Sequence, residues 1–159
     1  MDTSLFERTW NPGRVVVKES RVRAPLSDVW NAWATSAGWR RMMDLEARVE
    51  LRIGGPYEVM FDTDQAPGLR GSEGCEVLAF IPQRLLSFSW NAPPEFPIER
   101  ARRTWVVLEF THDEGKTHIR LTHLGFADHG QWPEVQAYFE RVWSRVTDAM
   151  EATLGLGKA

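Results

Sequence analysis

The chain has 159 residues, 43% of them hydrophobic and 26% charged, with a net charge of −3; this suits one globular domain with a sizeable core and excludes a disordered or fibrous polymer. The weakly acidic balance supplies no electrostatic footprint for nucleic acid, and the basic runs at Arg40-Arg41 and Arg100 to Arg103 read as solvated surface. A single cysteine, Cys75, excludes an intrachain disulfide; with no apolar leader in Met1 to Arg14 and no run of apolar residues long enough to span a bilayer, a cytoplasmic protein without membrane contact is expected.

After a lead closed by Asn11-Pro12-Gly13, the β-branched segment Arg14 to Val22 predicts a strand that Ala24-Pro25 ends. Ser27 is the expected N-cap of a short helix in which Val29, Trp30, Trp33 and Ala34 repeat at helical spacing, and after Thr35 to Gly38 a second helical turn is expected over Trp39 to Met43. From Ala47 the period changes to two. Val49, Leu51 and Ile53 share one parity, Gly54-Gly55-Pro56 turns the chain, and Tyr57, Val59 and Phe61 share the next. The Gly- and Pro-containing stretch Asp64 to Gly74 reads as a loop, followed by strands over Cys75 to Ile81 and Leu85 to Trp90. Three prolines make Asn91 to Pro97 an exposed connection. Arg102 to His112 and Lys116 to Leu124 then form a hairpin about Asp113-Glu114-Gly115-Lys116.

The final segment, Trp132 to Leu154, places Val135, Tyr138, Phe139, Val142, Val146, Ala149, Met150 and Thr153 on one helical face. Pro133 is tolerated in the first turn, Glu134 complements the positive helix end, and Gly155 is the expected left-handed stop. Strands joined by short hairpins without helical crossovers predict an antiparallel sheet with helices on one side, an α+β fold. A curved sheet of about seven strands wrapped on a long C-terminal helix, with two short helices after the first strand, would leave space between its layers. The chain reads as one domain, residues 1–159, with its core over about 14–154.

The run Ala24 to Trp33, the turn Gly54-Gly55-Pro56-Tyr57, the stretch Gly74 to Pro82 leading into Leu85 to Trp90, and Thr122-His123-Leu124-Gly125-Phe126 with Trp143 resemble the START-like (SRPBCC), helix-grip superfamily. Within it they resemble the branch named after the C-terminal domain of the activator of Hsp90 ATPase. The resemblance implies the helix-grip fold, and members of the superfamily bind lipids or hormones or cyclise polyketides.

Eight Trp and eight Phe give material for an aromatic cavity wall. The candidate ligand-binding rings are Trp30, Trp33, Trp39, Tyr57, Phe61, Phe88, Trp90, Trp105, Tyr138 and Trp143, with Phe139 and Val142 on the same helix. His123 is the expected polar group, because strand parity places it with Ile119 and Leu121; a histidine satisfied by a neighbour in the core is the alternative. Glu76 shares parity with Leu78 and Phe80 and is expected to face inward too. No metal or other cofactor is expected: His118 and His123 point to opposite faces, and Cys75 has no partner at ligand spacing. Cys75 itself reads as a buried, inert thiol.

These residues predict a protein that binds a small hydrophobic or aromatic molecule between sheet and long helix. One alternative is a cyclase- or hydratase-type enzyme using His123 with Glu76 or a tyrosine for proton transfer. The other, implied by the branch name alone, is a chaperone-interacting module; Hsp90 itself is not expected as a partner, because the co-chaperone's additional N-terminal domain has no room in this chain. Strand edges and the proline-rich loop offer surface for a homodimer.

Overall fold

The structure, a computed structural model, describes residues 10–155; the reading of residues 1–9 as part of an irregular lead without a leader lies outside them. Thr117, Ile119, Leu121 and His123 are all buried along β7 (Lys116–Leu124), and the residues between them face outward, so the period-two pattern is realised. Its hairpin partner is β6 (Thr104–Asp113), and both turn residues, Glu114 and Gly115, have positive φ, 47° and 77°, as a tight two-residue hairpin requires. With β1 (Val16–Val22), β4 (Val77–Ile81) and β5 (Leu85–Trp90) these strands form an antiparallel sheet in the order β1-β7-β6-β5-β4.

The remaining two strands stand slightly apart. β2 (Glu46–Val49) and β3 (Tyr57–Met60) make a separate ribbon, joined to the large sheet by the bridge between Pro56 and Glu76 and the bond from Tyr57 N to Cys75 O at 2.8 Å. The seven strands therefore divide into five and two. The alternation through Leu51 and Ile53 does not continue as strand: pairing stops at Val49 opposite Tyr57, and Ile53 is 66% exposed in the turn. Along the far side of β3 lies residue Gly71 of the next loop, paired with Met60. A Cβ on Gly71 would stand 1.9 Å from Val59 O, so only glycine permits this approach.

Helix α1 (Leu26–Ala34) starts from Pro25, whose carbonyl accepts from the amides of Asp28 and Val29; Ser27 lies inside the helix and is not its cap. Only Thr35 separates α1 from α2 (Ser36–Met43), because its Oγ1 accepts from Gly38 N at 2.9 Å and restarts the helix at once. The second helix is thus longer than its apolar spacing indicated. A short α3 (Pro97–Arg100) follows the proline-rich connection.

The long helix α4 (Trp132–Met150) buries Trp132, Val135, Phe139, Trp143, Val146, Thr147 and Met150 against the inner face of the sheet. Lys18 on β1 pairs with Glu140 at 3.0 Å, and Ser20 donates to Glu151. Gly155 does not take the left-handed conformation expected of it. The helix widens instead into a π-helical turn, Glu151–Gly155, which carries Leu154 into the core.

Candidate functional site

Between the sheet and α4 the aromatic side chains divide into a packed end and an open end. At the packed end Trp33, Trp39, Tyr57 and Phe88 are fully buried, and each polar atom among them has a partner. Tyr57 Oη donates to Trp33 O at 2.6 Å and accepts from Trp39 Nε1 at 3.0 Å, while its ring stacks on Phe88 with centroids 3.9 Å apart. Burial pushes the Tyr57 hydroxyl pKa up. Trp33 Nε1 reaches Met150 Sδ at 3.2 Å, and Trp30 packs edge-on against Phe110.

His123 is completely buried at this end, 4.5 Å from the Phe139 ring and 4.7 Å from that of Phe126. Trp143 Nε1 lies 2.9 Å from His123 Nδ1, and an indole N–H can only donate, so Nδ1 is the acceptor. The proton then sits on Nε2 and is donated to Thr104 Oγ1 at 2.7 Å. Both ring nitrogens are occupied, and burial pushes the pKa down to about 3, so the imidazole is neutral near pH 7. This is the satisfied core histidine rather than a proton-transfer group. Glu76 does not approach it: the carboxylate side chain is exposed on the outer face of the sheet. Trp105 also faces outward, edge-on to Trp10 with centroids 5.1 Å apart. Cys75 is buried beside β4, and burial raises its pKa to about 11, which keeps the thiol protonated.

At the open end the wall separates from the helix and leaves a cleft of about 410 Å³. Of the residues expected from sequence, Phe61, Trp90, Tyr138, Phe139 and Val142 line it. Trp90 and Phe139 belong to both ends, since Trp90 packs 5.4 Å from Trp143 and Phe139 also touches His123. The apolar lining is completed by Met43, Leu69, Pro93, Pro94 and Val146, and the mouth carries Arg70, Glu95 and Arg145. Tyr138 is half-buried there; burial, and then the nearby Glu95 carboxylate, raise its pKa.

One wall is the loop between β3 and β4, which is folded around Glu73. The Glu73 carboxylate accepts from the amides of Gly68, Arg70 and Gly71, the last two at 2.7 and 2.8 Å. Arg100 fastens this loop to the opposite connection: Nη1 donates to Ala92 O at 2.6 Å, and Nη2 to Gly68 O and Gly71 O at 2.7 and 2.8 Å. Within the run from Arg100 to Arg103, Arg100 departs from the solvated surface expected of it, whereas Arg103 stays exposed. Arg100 is turned inward, and Arg102 and Arg103 donate to Gly125 O and Glu73 O. Desolvation lowers the Arg100 pKa, but its three carbonyl partners hold the charged fork in place.

Sequence reasoning missed Leu69, Arg70, Asn91, Arg100 and Arg145. Arg145 follows Tyr138 by seven positions and Val142 by three, so the helical spacing already placed it over the same groove. The loop residues have no period to betray them.

A long C-terminal helix laid across a curved antiparallel sheet, with two short helices after the first strand, defines a helix-grip domain of the START-like type. The profile of the activator of Hsp90 ATPase homolog 1-like protein family matches residues 23–155, and the chain belongs to that family. No curated protein matches the sequence. Among solved structures, protein MLL2253 from Mesorhizobium loti superposes with a TM-score of 0.66 at 20% identity, covering 88% of this chain and 96% of that one. The Aha1 dimer from Colwellia psychrerythraea gives 0.64 at 16% identity, over 91% and 98%. An Hsp90 activator from Plasmodium falciparum gives 0.64 at 18%, over 84% and 89%. At these identities the likeness is one of fold. No helix among the described residues is long and apolar enough to cross a membrane.

Proposed function

We propose that the protein binds a small hydrophobic or aromatic molecule in the cleft beside Tyr138, Phe139 and Val142. The observation that carries this reading is the cleft itself. Its volume of about 410 Å³ falls in the range of small-molecule sites, roughly 300–1,000 Å³, and its lining is mostly apolar with polar groups at the mouth. Phe61 and Leu69 remain 40% and 41% exposed on its walls, apolar surface that a ligand would remove from water. The enzyme alternative loses its acid–base pair, because His123 is neutral and doubly bonded while Glu76 lies outside. Trp90 stands in the wall, so titration with an apolar aromatic probe should change the intrinsic tryptophan fluorescence in a saturable way. Calorimetry on Val142→Trp, whose indole obstructs the cleft, should then show markedly weaker binding. Equal affinity in the wild type and the obstructed variant would refute the site.

A further inference from the structure

Asn91 stands at the end of β5, is only 6% exposed, and lines the cleft. Its amide nitrogen is already used: Nδ2 donates to Gly71 O at 3.1 Å, and that bond decides which way the amide is turned. Its Oδ1 accepts no hydrogen bond from the described residues. Nor is Oδ1 sealed in, because among the described residues the one fully enclosed side-chain oxygen or nitrogen without a partner is Glu99 Oε1. The neighbouring polar groups of the wall are engaged. Ser72 Oγ accepts from Val59 N at 2.8 Å and donates to Tyr57 O at 3.2 Å, Arg100 holds three carbonyls, and Asp62 receives Asp64 N and Gln65 Nε2. Asn91 Oδ1 is thus a largely buried acceptor beside Trp90 that no group of the described residues uses.

Resting on the proposed reading of the cleft as a small-molecule site, we infer that its ligand carries a hydrogen-bond donor, a hydroxyl or N–H on an aromatic or apolar body, which Asn91 Oδ1 receives. Water can satisfy this oxygen when no ligand is bound. A ligand without a donor displaces that water and leaves the acceptor unpaired, so Asn91 discriminates between molecules of the same shape. Trp90 and Phe139 supply the apolar contact on either side, and Asn91 supplies the selectivity.

The test compares 2-naphthol with 2-methoxynaphthalene, which has the same ring and oxygen but no donor. Both are titrated into the full chain at pH 7 and followed by protein NMR shifts. The wild type should bind the naphthol about fivefold to tenfold more tightly. Asn91→Leu should bring the two within about twofold, chiefly by weakening the naphthol. Equal affinities in the wild type overturn the inference while leaving the cleft as a binding site, and this comparison holds whether or not Asn91→Leu folds. A preference that survives in Asn91→Leu also overturns it, since the donor would be recognised elsewhere. Failure of both compounds to bind the wild type overturns the underlying reading along with it.

Discussion

The two ends of the space under α4 are built from the same kinds of residue, yet one is a core and the other is a cleft. At the packed end, Trp143 meets Trp33 at a tilt and His123 edge to face, and every ring nitrogen has a partner. At the open end, Trp90, Phe139 and Tyr138 continue the aromatic surface, but the facing wall is a loop held off the helix by Glu73 and Arg100. The difference lies in the backbone that carries the opposing wall. Helices α1 and α2 bring apolar side chains down onto α4, whereas the β3–β4 loop spends its polar groups on its own architecture and leaves a gap. Aromatic content alone therefore does not make a binding site; a rigid wall held at a distance does.

The largest mutational cost is expected at the packed end. Trp143→Ala removes a fully buried indole and leaves His123 Nδ1 without its donor, so urea denaturation should show a loss of about 3–5 kcal/mol or more. A smaller loss, of about 1 kcal/mol, would mean that the two ends are equally loose.

Acid should act next most strongly, and at the same place. The folded-state pKa of His123 is about 3, below the usual value of 6.5, so between these values the unfolded chain binds the extra proton. Stability is accordingly flat above about pH 6.5 and falls as the pH drops toward 3. The slope attributable to His123 approaches about 1.4 kcal/mol per pH unit within that window. Comparing urea midpoints of the wild type and His123→Gln from pH 7 to pH 4 isolates it, and parallel curves would contradict the account.

At the open end smaller costs are expected. Arg100→Met cuts three charge-assisted bonds to carbonyls, so a loss of about 1–3 kcal/mol is expected, with faster amide exchange across Gly68 to Ser72. Unchanged exchange there would show that Glu73 holds the wall unaided. Smallest of all, Val142→Trp should alter stability by less than about 1 kcal/mol, because its side chain enters existing space. A large destabilisation would mean that the space is not available to a guest.

How much of this was legible in the sequence follows from where periodicity persists. β5 and β7 occupy the expected bounds, and parity correctly turned His123 inward, because both strands run without a register shift against β6. Glu76 was misplaced for the opposite reason. The register shifts between Val77 and Ala79, so parity counted back from Phe80 reverses across the irregularity, and Cys75 and Val77 are the inward residues. Trp105 was misassigned because an aromatic residue does not announce whether it belongs inside; its strand buries Thr104, Val106, Leu108 and Phe110 instead. The cleft itself was legible only on its helical side. Tyr138, Phe139 and Val142 share a period, whereas Leu69, Asn91 and Arg100 meet through turns and hydrogen bonds between residues distant in sequence.

The most direct test of an open cleft beside a closed core is a residue-resolved map of protein NMR shifts during titration with an apolar aromatic molecule. Saturable changes are expected at Leu69, Asn91, Phe139 and Val142, fading toward Val106, Leu121 and His123. Changes centred on His123 and Trp33, or none at Val142, would contradict that arrangement.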